Sequence, residues 1–487
     1  MGVLSHLEPK PVFDYFEKLC AVPHGSGNTK LISDLCASFA RELGLKYRQE
    51  DCNNLIIWKD ASAGYENAAP VILQGHMDMV CAQTEDCTKD MSREGLDLRT
   101  DGTYVWADKT SLGGDDCIAV ATALAILADD SLPHPPLEVV FTIDEETGMD
   151  GAAALDCSDL KGRLLLNLDS EEEGVFTVAC AGGLRADCFL PAARQALGGE
   201  SCFAVSLSGL QGGHSGAEID KGRGNAVQLM GRALYGAMEQ VGALRIADLR
   251  GGQFDNVICP RCDAVVAVPA GKEEEFTSFV RKFDRIMKNE LSVAHIAWAS
   301  SGVTLSCAAV SGTAAYDADA SARMLHALLV MPQGVQVMSP DFPGLVQTSQ
   351  NLGVITAEDD GLRFSLSIRS SVASEKEMLL QKVRAIVTFA GGTVSTRGDY
   401  PAWQYARQSP LRDTVMAAYK RVTGKDGVAL AIHAGLECGL LAGKMPGLDA
   451  VSFGPELLDI HSPRERLGVA SVERMYQLVC EILKNCR

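Results

Sequence analysis

A histidine and an aspartate two residues apart, at the end of an apolar run, make a pair that can do chemistry. The stretch Val71-Ile-Leu-Gln-Gly-His-Met-Asp-Met79 supplies one. Side chains repeat every two residues along a strand, so His76 and Asp78 point the same way. A carboxylate beside an imidazole fixes the ring's tautomer and raises its basicity as a metal ligand. Four more groups stand at strand ends or in loops: Asp115, Glu146, Asp169 and His461. With His76 they make two imidazoles and three carboxylates, a set that suits a pair of zinc ions, borderline-soft cations that accept nitrogen and oxygen alike. Glu145 and Glu146 are adjacent and so project differently. One can bind metal while the other stays free as a general base. Taken singly, each group reads as an ordinary polar strand end or a solvated turn.

The elements that must position these groups follow from the apolar spacing. Residues 10–20 and 28–43 have helical spacing, the second opened by Asn28-Thr29 as a cap. Strands are predicted at 54–58, 71–73, 137–143 and 163–168, with residues 80–106 polar and irregular between them. The glycine-bearing loop Ala107-Asp-Lys-Thr-Ser-Leu-Gly-Gly-Asp-Asp116 runs into an apolar helix at 118–128. Strands alternating with helices, with polar groups just past the strands' C-terminal ends, predict a mainly parallel α/β sheet with its site there.

The pattern changes near residue 186. Strand 202–207, helix 223–239, strands around 256–268 and helix 273–288 are followed by strand 303–309, helix 319–330, strands 346–355 and 362–368, and helix 375–389. This order reads as two β-α-β-β-α units in tandem. The α/β character returns after residue 397, with helices at 409–422, 434–443 and 470–485 and a strand at 449–453. The domains expected are therefore 1–185 and 398–487, folding together, with 186–397 inserted between them.

Bulk properties narrow the partners. A chain of 487 residues with a formal net charge of −19 is a poor match for nucleic acid or an anionic membrane. The longest apolar helix candidate, 118–128, is too short to span a bilayer. No basic segment and apolar core open the chain, so no export signal is read. The sixteen cysteines lack framework spacing and are expected as reduced thiols in the cytosol. Cys259 and Cys262 have C-x-x-C spacing but neither a second pair nor a helix start to support a zinc or redox role.

Taken together, Gly75-His-Met-Asp78, Gly113-Gly-Asp-Asp116, Asp144-Glu-Glu-Thr-Gly148, Leu168-Asp169, Gly213-His-Ser-Gly216 and the C-terminal His461 recur in the order found in the M20 di-zinc peptidases, which the chain resembles over nearly its whole length. Ser367-Ile-Arg-Ser370 and Ile432-His-Ala-Gly-Leu-Glu-Cys438 sharpen the resemblance to the aminoacyl-histidine, or carnosinase-like, dipeptidase branch. The resemblance implies a phosphorylase/hydrolase-like catalytic domain and a lid of two ferredoxin-like units. It implies two zinc ions, with manganese or cobalt as substitutes, and Asp115 bridging them. His76 and Asp169 would complete one metal position and Glu146 and His461 the other. Asp78 would orient His76, and Glu145 would be the general base. His214 would donate to the oxyanion, with Asn256 nearby, Arg369 on the substrate carboxylate and Glu437 near the substrate's end. The expected substrate is a small Xaa-His dipeptide, and a homodimer is compatible with the reading. The alternatives are a related N-acyl amino acid deacylase or tripeptidase, or a non-catalytic metal-binding scaffold. Lys109 and Cys117 depart from the small residues expected around Asp115, and His24 and His433 read as structural or supporting groups.

Overall fold

In the computed structural model, which describes residues 2–293 and 302–487, the apolar runs become the centre of an eight-stranded sheet. Its strands lie in the order Lys46–Gln49, Leu55–Lys59, Leu137–Thr142, Val71–His76, Leu164–Asn167, Asp449–Ser452, Val175–Cys180 and Val428–Ile432. The four central strands run parallel, and antiparallel pairs flank them. Val71–His76 and Leu137–Thr142 are buried along their whole length. Strands covered on both faces lose polar alternation, which is why they read as continuous apolar runs.

Register brings the strand ends level. His76 pairs with Thr142, Gln74 with Asn167, and Asn167 with Ser452. The segments that follow each of these positions leave the sheet at the same end. Against the sheet packs Gly114–Ala128, apolar on every side and buried from Cys117 to Leu127. Each large apolar side chain sequestered there contributes roughly 1.5–3 kcal/mol. Asp115 and Asp116 have non-helical backbone angles, so the regular helix starts after them.

The chain divides into two compact units. The first comprises the residues up to Cys180, Tyr405–Ala431 and Leu436–Arg487; the second comprises Ala181–Gln404 and Ile432–Gly435. The first also holds a small sheet of Leu457–Leu458, Arg466–Gly468, Tyr104–Ala107 and Leu98–Thr100, so part of the 80–106 stretch is regular.

The second unit corrects the tandem reading. Thr304–Val310 pairs with Ser201–Ser208 and closes the first β-α-β-β-α set instead of opening another. The order Thr304–Val310, Ser201–Ser208, Cys262–Val268, Arg245–Gly251 is a four-stranded ferredoxin-like arrangement. Gly182–Pro191 and Thr393–Tyr400, neither read as a strand from the sequence, take the equivalent places around Val346–Ala357 and Gly361–Ser370. One ferredoxin-like unit is thus inserted within the other. They join as a single sheet through Arg245–Gly251 and Val346–Ala357. Helices Ala226–Val241, Glu273–Val293, Ala318–Val330 and Ala373–Phe389 supply much of the remaining apolar core.

Candidate metal centre

Three of the four central strands, Val71–His76, Leu137–Thr142 and Leu164–Asn167, deliver groups to the same end of the first unit's sheet. His76 is the last residue of its strand and only 1 % exposed. Its Nδ1 lies 2.9 Å from the carbonyl oxygen of Asp78. A proton on Nδ1 donated to that carbonyl leaves the Nε2 lone pair free as a ligand. Gly75 is dictated by this corner: a Cβ there would stand 2.5 Å from Asp116 Oδ2 and 2.7 Å from the Ala119 methyl.

Asp115 stands between two groups of donors. Its Oδ1 is 3.1 Å from His76 Nε2, while its Oδ2 is 3.1 Å from His461 Nε2. His76 Nε2 also lies 3.8 Å from Asp169 Oδ1, and His461 Nε2 lies 2.9 Å from Glu146 Oε1. Burial disfavours the charged form of Asp115, yet its bonds to His461 and His76 hold its pKa below the usual carboxylate range. The Asp115 and Glu146 contacts push His461 up to about 10. Burial opposes protonation of His76, but Asp115 and Asp78 outweigh it and raise its pKa. Burial drives the pKa of Asp169 well above its ordinary value, and its Oδ2 has no hydrogen-bond partner among the described residues. Ligand atoms of His76, Asp116 and Asp169, of His76, Glu145 and Glu146, and of Asp115, Glu146 and His461 lie within 4.8 Å of one another in each trio. Buried carboxylates packed this closely, one with an orphaned oxygen, form a donor set that fits divalent cations.

Glu145 opens a one-turn helix immediately after the sheet. Burial, reinforced by Glu437, Glu146 and Asp115 and partly offset by His76, pushes its pKa up to about 8. That suits a group exchanging protons near neutrality. Asp78 acts on Glu145 more directly than on His76. Its Oδ1 accepts the Glu145 backbone N–H at 3.1 Å and its Oδ2 the Ser26 hydroxyl at 2.8 Å, while Oδ1 is 3.5 Å from His76 Nδ1.

Further polar and thiol groups surround the cluster. Glu437 is fully buried, and its Oε2 accepts from Thr142 Oγ1 at 2.6 Å and Gln74 Nε2 at 2.5 Å. It opens helix Glu437–Lys444, where a carboxylate is favoured by the free N–H groups. Asp116, missed in the sequence, is fully buried and accepts the His76 backbone N–H at 3.2 Å. The Asp-Asp dipeptide, parallel to Glu-Glu, was its signal. Lys109 takes φ 66°, the left-handed region where glycine is expected, and pairs with Asp86 at 2.8 Å. Cys117 packs at the helix start with its thiol toward the Met77 carbonyl. The Cys259 and Cys262 side chains are buried thiols.

The second unit gathers cations. His214 Nδ1 accepts the Ala217 backbone N–H at 3.1 Å, which leaves the ring proton on Nε2 as a free donor. Burial first, then Arg369, lowers its pKa, so it stays neutral. The Asn256 carbonyl accepts the Ser215 N–H at 2.8 Å, and Asn351 Nδ2 spans the carbonyls of Asp255 and Val257, each at 2.9 Å. Arg185 and Arg397 both hold Asp255 at 2.7 Å. Arg369 is 6 % exposed, donates to Tyr400 Oη at 3.0 Å, and has an Nε without a partner among the described residues. His433 lies 2.7 Å from Ser349 Oγ; burial, then Arg369, lowers its pKa to about 4.

Peptidase family M20/M25/M40 matches residues 72–485. The cytosol non-specific dipeptidase of Escherichia coli (strain K12) is 38 % identical over 486 residues, 100 % of this chain and 99 % of that protein. The crystal structure of aminoacylhistidine dipeptidase from Vibrio alginolyticus superposes with a TM-score of 0.91 at 34 % identity, covering 99 % of this chain and 98 % of that one. Aminopeptidase PepT from Bacillus cereus has the same fold at a TM-score of 0.57 and 14 % identity, over 99 % of each chain.

Proposed function

The chain belongs to peptidase family M20/M25/M40, and we propose that it is a cytosolic dipeptidase that works with a pair of zinc ions and favours Xaa-His substrates. The observation that carries this reading is Asp115, whose two carboxylate oxygens each face a different imidazole. A carboxylate in that position offsets the repulsion of two dications. His76 and Asp169 would hold one ion, Glu146 and His461 the other. The names of the relatives, one a cytosol dipeptidase and one an aminoacylhistidine dipeptidase, support the compartment and the substrate class.

Zinc, when bound, supplies Lewis acidity that draws the pKa of water toward neutrality. The protein's own groups manage protons and orientation. Glu145 takes a proton from the attacking water and delivers it to the departing amine nitrogen. Asp78 holds the Glu145 backbone and thereby its carboxylate. His214, with its proton on Nε2, is assigned to the oxygen that gains charge, and Asn256 is held next to it through its carbonyl, which accepts the N–H of the adjoining Ser215. Arg369, a buried guanidinium, is assigned to the substrate carboxylate.

The test is hydrolysis of β-Ala-His, Gly-His, Ala-Leu and an N-acetyl amino acid by metal-stripped protein, repeated with zinc or manganese. Metal-restored cleavage of the histidine dipeptides is expected. Turnover of the acetyl compound alone would replace peptide hydrolysis with deacylation, and no turnover despite bound metal would leave a non-catalytic metal protein.

A further inference from the structure

Glu465 lies four residues beyond His461, in the loop between the short strands Leu457–Leu458 and Arg466–Gly468, and is 2 % exposed. Its carboxylate receives four consecutive backbone N–H groups from the loop at residues 112–115, 350 or more residues earlier in the chain. Oε2 accepts from Leu112 at 2.8 Å and Gly113 at 3.2 Å; Oε1 accepts from Gly114 at 2.8 Å and, at longer range, Asp115 at 3.4 Å. The loop is shaped to admit it. Gly113 takes φ 64°, and a Cβ on Gly114 would sit 3.2 Å from Glu465 Oε1 and 2.6 Å from Leu457.

Glu465 is also tied to the turn that carries His461. Its N–H donates to the Ser462 carbonyl at 3.1 Å, and Ser462 Oγ donates to the Asp459 carbonyl at 2.7 Å. Asp459 and His461 both adopt left-handed angles, φ 53° and 58°, which a non-glycine residue keeps only where its surroundings impose them. One side chain therefore fastens the backbone of Asp115 to the turn of His461. These are the two residues whose side chains meet at 3.1 Å.

We propose that Glu465 is a positioning residue that sets these two loops against each other and so fixes the metal position formed by Asp115, Glu146 and His461. The inference rests on the dinuclear reading above. A glutamine at this place has one acceptor oxygen, and its NH₂ faces backbone N–H donors where the second oxygen was. The Asp115 loop then loses its register with the His461 turn, while His76 and Asp169, held at the ends of central strands, keep theirs.

The test is calorimetric titration of zinc into metal-stripped protein. Glu465→Gln is compared with Glu138→Gln, a second buried carboxylate that accepts loop N–H groups, from Lys161 at 2.9 Å and Gly162 at 2.8 Å, at the opposite end of its strand. Wild type and Glu138→Gln should bind two ions. Glu465→Gln should weaken the Glu146–His461 position roughly 10- to 100-fold, the range for losing a supporting partner of a ligand, and the His76–Asp169 position by clearly less, since there Asp115 is one ligand among groups held by the sheet. Two wild-type affinities in Glu465→Gln, or equal weakening at both positions in both variants, would overturn the proposal, since either means that the carboxylate serves the fold alone. Fewer than two ions bound by the unsubstituted chain would overturn the dinuclear reading and this inference with it. That failure is recognisable because no substitution is needed to see it.

Discussion

The two units solve opposite electrostatic problems. The first unit collects Asp115, Asp116, Glu145, Glu146 and Asp169 at one sheet end, with two imidazoles among them. The second collects Arg185, Arg369, Arg397, His214 and His433 on and beside its sheet, with Asp255 as the principal counter-charge. In the first, burial raises carboxyl pKa values and leaves an orphaned oxygen on Asp169. In the second, burial keeps imidazoles neutral and leaves Arg369 Nε unpartnered. An anionic cluster of this density asks for cations, and a buried guanidinium without a carboxylate asks for an anion. The difference supports the proposed roles, a metal pair for the first unit's cluster and an anionic group for Arg369 in the second.

Breaking the anionic side should have the largest effect. Removing metal with a chelator should abolish hydrolysis and lower the thermal midpoint, because ions that bind only the folded state stabilise it by mass action. A midpoint unmoved by chelation and by added zinc would mean that the carboxylate cluster does not hold ions. Next comes Glu145→Gln, which keeps the shape of the side chain and removes its proton acceptor. A loss of roughly 10²- to 10⁴-fold in kcat with two ions still bound is expected, and kcat within a few-fold of wild type would remove Glu145 as the base. On the cationic side Arg369→Lys retains the charge and loses the planar fork. kcat/KM for a dipeptide should fall roughly 10- to 100-fold, mostly through KM. Equal loss on a substrate whose C-terminal carboxylate is amidated would count against the assignment.

The same contrast explains what the sequence disclosed. The metal-facing set was legible because parallel strands buried on both faces read as unbroken apolar runs, so the first polar residue after each run marks the sheet's end. His76, Glu145, Glu146 and Asp169 lie one or two residues beyond those markers, which are Gln74, Asp144 and Asn167. Asp116, Glu437 and Glu465 were not legible in their roles, since a carboxylate that accepts hydrogen bonds in the interior has the same letters as one in solvent. Element order predicted ferredoxin-like units, but strand neighbours are not written in element order. Gly182–Pro191 begins with two glycines beside the domain boundary, and Thr393–Tyr400 is a largely exposed edge strand with little apolar alternation. Missing both turned a nested pair into a tandem one. Arg369 was legible through family resemblance; its burial and the contact with Tyr400 were not.

The smallest effect expected is a pH dependence confined to the second unit. His433 is 7 % exposed, against Ser349, with Arg369, Asp220 and the neutral His214 as its ionisable surroundings. Burial and the nearby guanidinium lower its pKa from 6.5 to about 4 in the folded chain. Between these values the unfolded chain binds more protons than the folded one, so stability is complete above pH 6.5 and declines as pH falls toward 4. The shift corresponds to at most about 3 kcal/mol across the whole window. Glutamine at this position carries no proton at either end of the range. In urea unfolding, wild type should lose more stability than His433→Gln between pH 7.5 and pH 5, even if the variant is the less stable protein at pH 7.5. Parallel losses in the two chains would show that His433 titrates normally, and that the cationic side of the molecule is better solvated than its burial implies.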